Sequence, residues 1–372
     1  KRISFILTTA ILAGLLAGCA GSAQSTPTPA TEPGTSAAAP TNENAPSTGA
    51  QTLTVMTHDS FAASEPVITA FEQENNVKVS FVQSGDAGST LNRAILSKDA
   101  PIADAFYGVD NTFLSRALDA GIFVPYKSPL LDQIPDEFKL DPENRVTPID
   151  FGDVCINYDK AYFAGKNLAV PQSLADLTKP EYKGLLAVEN PATSSPGLAF
   201  LLATIADYGE DGYLNYWQQL KDNGLVVVND WETAYYTNFS ASTGHGPQPM
   251  VVSYGSSPAV EVVFAEQPIE ESPTASIVGP NTCFRQVEFA AVLAGAKNPE
   301  LAQKFIDYML SVPFQEDMPL QMYVYPVNPN AKLPEVFVKN AQIPEKPARI
   351  DPAQIAQNRD KWIQDWTDAV LR

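Results

Sequence analysis

Positive charge is scarce in this chain: 24 Lys and Arg stand against 43 Asp and Glu over 372 residues, a formal net charge of −19. Nucleic-acid binding needs a basic footprint that displaces phosphate counterions, so that class is excluded. Adsorption to an anionic lipid surface by charge alone is disfavoured for the same reason. Histidine and cysteine are almost as rare. Two His (His58 and His245) and three Cys, with neither CxxC nor HExxH spacing, leave little for a tetrahedral zinc site. A carboxylate cluster for a harder metal stays open. There is no GxSxG, and His245 lies in the loop-like run Thr243-Gly244-His245-Gly246-Pro247, so serine-hydrolase chemistry finds no support. No internal repeat is visible. What the chain does have is 44% apolar and 10% aromatic residues, enough over this length for two sizeable cores.

The first segment reads as an address. Lys1 and Arg2 precede an apolar run from Ile3 to about Ala17, short for a membrane span and typical of a signal h-region. It ends in Leu16-Ala17-Gly18-Cys19, which looks like a bacterial lipobox, with cleavage after residue 18 and a lipid on Cys19. Residues 19–50 are rich in Ala, Ser, Thr and Pro and, after the cysteine, carry no Leu, Ile, Val or aromatic. Such a stretch buries too little apolar surface to offset its ordering entropy and is expected to be a solvated tether, with ends about 30 Å apart as a flexible coil. The folded body is therefore expected outside the cytoplasmic membrane and tied to its outer face.

From Leu53 onward strand-like and helix-like pieces alternate. Leu53–Thr57, Val77–Val82 and Ala103–Tyr107 read as strands, with helices over Pro66–Asn75 and Leu91–Leu96 between them. This βαβαβ order predicts an open α/β sheet with ligand chemistry at the strand ends. Further strands are expected at Val154–Tyr158, Val226–Val228, Met250–Tyr254 and Phe284–Val292. Asp351-Pro352 signals the start of a last helix, whose Ile355, Trp362, Trp366 and Val370 form a packing stripe. Anchor, tether and an acidic α/β body of about 320 residues describe an importer's extracytoplasmic receptor. Architecture alone identifies no ligand.

Four segments carry candidate recognition groups. In Asn190–Gly197, Ser194 or Ser195 can cap a helix that has Pro196 in its first turn, aiming free N–H groups and a partial positive charge at a phosphate or carboxylate. Taken alone, this segment reads as a plain helix cap. Asn229–Tyr236 and Val252–Ala259 each follow a strand, and Gln321–Val327 is rich in aromatics. Together these suit a cleft that takes a flat ring at one end and an anion at the other.

Nine segments in register then carry a resemblance: Thr54–Phe61, Ser89–Arg93, Gly108–Asn111, Thr193–Gly197, Trp231–Tyr235, Ser253-Tyr254 with Ser257–Ala259, Gln286–Glu288, Pro299–Phe305 and Tyr325–Val327. In this order the chain resembles the thiamine-binding proteins of bacterial ABC importers, from about Leu53 to Arg372. The resemblance implies an α/β, two-lobe type II periplasmic binding protein fold, each lobe a mixed sheet flanked by helices, with two hinge crossovers. It places residues 51–150 in the first part of lobe 1, 151–285 in lobe 2, and 286–372 in the rest of lobe 1 and the C-terminal helices. It implies a cargo of thiamine and its phosphates, no cofactor, a monomer, and an ABC permease with its ATPase as partner. By position it puts phosphate-side contacts on Ser194, with neighbours Thr193 and Ser195, and on Trp231 and Tyr254; Tyr235 continues the Trp-Glu-x-Ala-Tyr pattern. Asp86 matches an acidic residue facing the ligand, Tyr323 stands where the family often has Trp, and His58 where Tyr is common. Two expected aromatics are missing: a Trp near Ser64-Glu65, and one after Ala259, where Val260 stands.

The resemblance also matches the segments around Cys155 and Cys283 to the two crossover strands. A disulfide between them beside the hinge is one reading and two separate buried thiols the other. Thiaminase I shares the fold and uses a cleft Cys, so an enzyme with Cys155 as nucleophile and Asp86 or Glu261 as base is an alternative function. Receptors of the same fold for ferric ion, suggested by Tyr235-Tyr236, for a polyamine or for a pyrimidine fragment are others.

Overall fold

A computed structural model describes residues 51–372, Gly244 apart. The expected signal peptide (1–18), lipidated Cys19 and tether (19–50) lie outside the described residues.

The chain opens with β1 (Gln51–Thr57), α1 (Glu65–Asn75), β2 (Val77–Gln83), α2 (Ala87–Leu96), β3 (Ala105–Asp110) and α3 (Leu114–Ala120). β1 lies between β2 and β3, parallel to both. α2 begins four residues before Leu91 because the Asp86 carboxylate caps it, accepting the N–H of Ala87 at 2.6 Å. β3 is buried at every position, as befits an inner strand covered on both faces.

After the short β4 (Phe123–Val124) comes the 13-residue β5 (Thr147–Asp159), then α4 (Lys160–Lys166), β6 (Leu186–Glu189), α5 (Ser195–Asp222, non-helical at Gly209), β7 (Val226–Val228), β8 (Met250–Tyr254), α6 (Ser257–Val263) and β9 (Thr274–Ile277). β10 (Phe284–Leu293) leads to α7 (Pro299–Met309), α8 (Val312–Met322), β11 (Tyr325–Pro326), α9 (Glu335–Asn340) and α10 (Pro352–Val370).

The sheet runs β2-β1-β3-β10-β5-β8-β6-β7. β10 and β5 are the two strands by which the chain passes between the halves. β10 pairs with β3 at its C-terminal end, β5 pairs with β8 and β9 at its own, and the two strands pair antiparallel with each other between Thr147–Val154 and Phe284–Ala290. On the next rung Cys155 and Cys283 are joined in a disulfide, their Cα atoms 4.3 Å apart. The C-terminal helix α10 touches both halves. Trp366 meets Trp217 of α5 edge to face at 5.4 Å, while Arg359 donates to Ser115 of α3 at 3.0 Å and covers the ring of Phe113. Among the described residues no helix is long and apolar enough to cross a membrane.

Candidate functional site

A cavity of about 220 Å³ opens where the two halves of the sheet face each other. From one side come the residues that follow β1 (His58 to Ala62), the start of α2 (Asp86, Ala87), Glu288 of β10, and the end of α8 with Met322 and Tyr323. From the other come Ser195 and Pro196 of α5, Trp231, Glu232 and Tyr236 after β7, and Tyr254 at the end of β8. Of the nine ligand residues expected from the sequence, the structure brings six to this wall: His58, Asp86, Ser195, Trp231, Tyr254 and Tyr323.

The remaining three stand back from it. The Thr193 hydroxyl donates to the carbonyl of Asn229 at 2.6 Å, and its backbone carbonyl accepts the N–H of Gly88 at 3.0 Å. Ser194, the N-cap of α5, is fully buried, and its hydroxyl has no well-aligned partner. Tyr235 stacks behind Trp231 at 5.0 Å and donates to Glu261 at 2.6 Å. It faces a neighbouring cavity of about 360 Å³ that also holds Val260, Glu261 and Phe264. Its place on the main wall is taken by Tyr236, because residues Thr233–Asn238 form a wide π-type turn. The hydroxyls of Tyr236 and Tyr323 are 3.0 Å apart, and these two side chains line both cavities.

Trp231 is locked rather than free. Its indole N–H donates to Ser253 at 3.0 Å, its ring meets Tyr236 edge to face at 5.4 Å, and Tyr323 lies 6.0 Å away. Tyr323 holds a left-handed backbone (φ 62°), rare for a residue with a bulky side chain. The Ser256 hydroxyl donates to its carbonyl, which helps to fix it. Phe61 and Met322 also line the wall, Phe61 resting on Tyr107 at 4.9 Å.

The electrostatics of the wall are strongly one-sided. Asp59, Asp86, Glu232 and Glu288 line it against a single imidazole, and among the described residues neither Lys nor Arg does. His58 Nε2 lies 3.3 Å from Glu288 Oε1. Burial alone would lower the His58 pKa, but Glu288, with help from Asp86 and Asp59, raises it above the ordinary value. The same contact holds Glu288 below its ordinary value despite burial, while burial and the Glu288 charge push Asp150 well up. The two shifts run in opposite directions because each group favours the charged form of the other. Tyr107 spans Asp150 at 2.6 Å and Glu288 at 3.2 Å. Gly108 makes room for the imidazole: its φ is 102°, and a Cβ there would sit 2.3 Å from the His58 ring. Burial lifts Asp86 above the ordinary aspartate value, and bonds from its neighbours partly offset that.

Cys155 is fully buried and held in the disulfide, away from this wall. That corrects the reading of Cys155 as a nucleophile, because a disulfide sulfur offers no thiolate. The tyrosine pair offered for ferric ion points its hydroxyls at different partners, Glu261 and Tyr323. Among the described residues no group of three or more His, Cys, Asp or Glu side chains is placed to hold a metal ion.

An α/β sheet whose halves meet over an aromatic, acidic cavity defines a periplasmic-type solute-binding protein. Residues 100–358 match the model of a family described as bacterial extracellular solute-binding protein, and the chain belongs to that family. The thiamine-binding periplasmic protein of Escherichia coli (strain K12) is 34% identical over 327 residues, 86% of this chain and 94% of that protein. Its namesake in Brucella suis biovar 1 (strain 1330) is 32% identical over 333 residues, 86% and 92%. A solved structure described as periplasmic thiamin binding protein matches with a TM-score of 0.77 at 32% identity, covering 88% of this chain and 98% of that one. The relatives are named as binding proteins, and this chain is an extracytoplasmic solute-binding protein.

Proposed function

We propose that the protein is the receptor of a thiamine importer. The cavity holds thiamine by its ring systems and its permanent thiazolium charge, and the loaded receptor delivers it to an ABC permease. The observation that carries this reading is the wall itself: Trp231, Tyr236, Tyr254 and Tyr323 beside four carboxylates, with no opposing Lys or Arg among the described residues. Aromatic faces and carboxylates together are the surroundings that bind a flat organic cation, each desolvated cation–π contact being worth up to about 2 kcal/mol. The names of the relatives above support the same cargo.

Lipidation of Cys19 and a tether over residues 19–50 belong to the proposal as the means of keeping the receptor beside its permease. Delivery proceeds by rotation of the halves about β5 and β10, the ligand favouring the closed arrangement because it touches both. Isothermal titration of the purified protein with thiamine should give saturable one-to-one binding. Absence of heat and of competition by thiamine or its phosphates, at protein concentrations in the micromolar range, would remove the cargo assignment.

A further inference from the structure

We propose that Asp110, a buried residue outside the cavity wall, sets whether the Tyr254 hydroxyl offers a bound solute an acceptor or a donor. It acts through the side-chain amide of Gln286, and so as a positioning residue. The inference rests on the proposed thiamine cargo and adds a pH dependence to the binding of its phosphate esters.

A line of three side chains crosses the middle of the sheet. Tyr254, at the end of β8, lines the cavity and donates its hydroxyl proton to Gln286 Oε1 at 3.1 Å. Gly152 of β5 lets the ring lie there, since a Cβ on it would sit 2.7 Å from Tyr254. Gln286 of β10 is buried, and its Nε2 donates to Asp110 Oδ2. The Thr112 hydroxyl donates to the other oxygen, Oδ1, at 2.7 Å. An amide has one accepting end and one donating end. While Asp110 is a carboxylate, the amide turns its NH2 group to it, and its oxygen claims the only hydroxyl proton of Tyr254. The hydroxyl then shows the cavity lone pairs alone. A proton on Oδ2 reverses the line. Asp110 donates to Oε1, Nε2 donates to the Tyr254 oxygen, and the hydroxyl proton is free to turn into the cavity.

The surroundings put this change near neutrality. Burial raises the Asp110 pKa to about 7; the Glu288 charge adds to the rise, and bonds from Thr112 and Gln286 oppose it. Glu288 lies opposite Asp110 on β10, and Asp150 of β5 and Tyr254 of β8 also feel its charge. His58 and Tyr107 adjoin Glu288 in turn. The turned hydroxyl matters to a solute with an anionic tail. At the tip of α5, Ser195 lines the cavity and the buried Ser194 hydroxyl has no partner, so other donors for such a tail stand ready at any pH. Asp110 therefore scales the grip on the tail rather than creating it.

Calorimetric titration with thiamine monophosphate at pH 8, in two buffers of different ionisation enthalpy, counts the protons taken up on binding. The wild type should take up about half a proton or more, because the bound tail favours protonated Asp110. Free thiamine, which has no tail, should take up none. Asp110→Asn keeps the donor arrangement at every pH, its Nδ2 standing in for the protonated oxygen, and should abolish the uptake. Relative to that variant, which cancels the ester's own ionisation, the wild type should bind the ester equally at pH 6 and about five- to tenfold more weakly at pH 8. Gln286→Met cuts the line and should also abolish uptake, which serves if Asp110→Asn fails to fold. No uptake by the wild type with the ester, equal uptake with free thiamine, or an ester that does not bind where thiamine does overturns the inference and leaves the cargo class intact. Uptake that survives in Asp110→Asn or Gln286→Met overturns it as well. Failure of both compounds to bind removes the proposed function, and this inference with it.

Discussion

At the end of β6, Glu189 has both carboxyl oxygens buried and unpartnered. α5 lies close over it: a Cβ on Gly197 would come within 2.5 Å of the Glu189 carbonyl oxygen. Burial first, then the charges of Asp86 and Asp230, hold its pKa well above the ordinary 4.5. The unfolded chain releases this proton near the ordinary value while the folded protein keeps it. The group's contribution is therefore full below about pH 4.5 and declines as pH rises toward the folded pKa. Glu189→Gln should raise unfolding free energy at pH 8 by roughly 1–3 kcal/mol and change little at pH 5. Urea titrations at the two pH values decide it, and equal shifts at both would refute the ionisation argument. Single residues were unevenly legible in the sequence. Asp86, Trp231, Tyr254 and Tyr323 stand in or near motifs whose order fixes their place. Tyr236 does not: neighbouring tyrosines are equivalent in a pattern, and only the wide turn at Thr233–Asn238 decides which one faces the cavity. Glu288 lay within a quoted motif, yet its role comes from a pairing with His58 across 230 positions, which no local pattern encodes.

Among the elements, the β5–β10 pair carries the most weight, since both passages between the halves run through it. Its disulfide closes a loop with a sequence separation of 128. In the chain-entropy account such a loop is worth up to about 5 kcal/mol, drawn mostly from the unfolded state. A Cys155→Ala/Cys283→Ala double variant should therefore unfold at distinctly lower urea, by about 2–5 kcal/mol, and adding reductant should not destabilise it further. Two free thiols in the mass of the untreated wild type would contradict the bond. Strand cores showed plainly in the sequence as apolar runs, but ends did not. β5 starts at Thr147 rather than Val154, because Pro148 and Gly152 interrupt the apolar pattern even though both positions pair in the ladder. α2 starts before Leu91, because Gly88 and Ser89 are weak helix formers whose place is secured by the Asp86 cap and by the Gly88 N–H bond to Thr193.

Over the whole molecule, the succession of strands and helices was readable, and the resemblance supplied the way they are arranged. What neither supplied is the reach of α10, which packs on α3 of the first half and on α5 of the second. Its stripe of Ile355, Trp362, Trp366 and Val370 is buried as the spacing predicts. Periodicity reveals that a face is covered, not by what. Trp366→Ala empties a fully buried site against Trp217 and should cost about 3–5 kcal/mol. Denaturation of that variant beside an exposed-face control such as Gln364→Ala measures it, and equal costs would mean that the indole contact contributes little.

The hydroxyl contact between Tyr236 and Tyr323 amounts to a removable partition between a compartment of about 220 Å³ and one of about 360 Å³. Trimming either ring would open one room into the next, where Glu261 and Phe264 wait with the same mixture of acid and aromatic. The scaffold thereby offers protein engineers a way to lengthen the guest without rebuilding the frame, and so a starting point for optical sensors of larger organic cations.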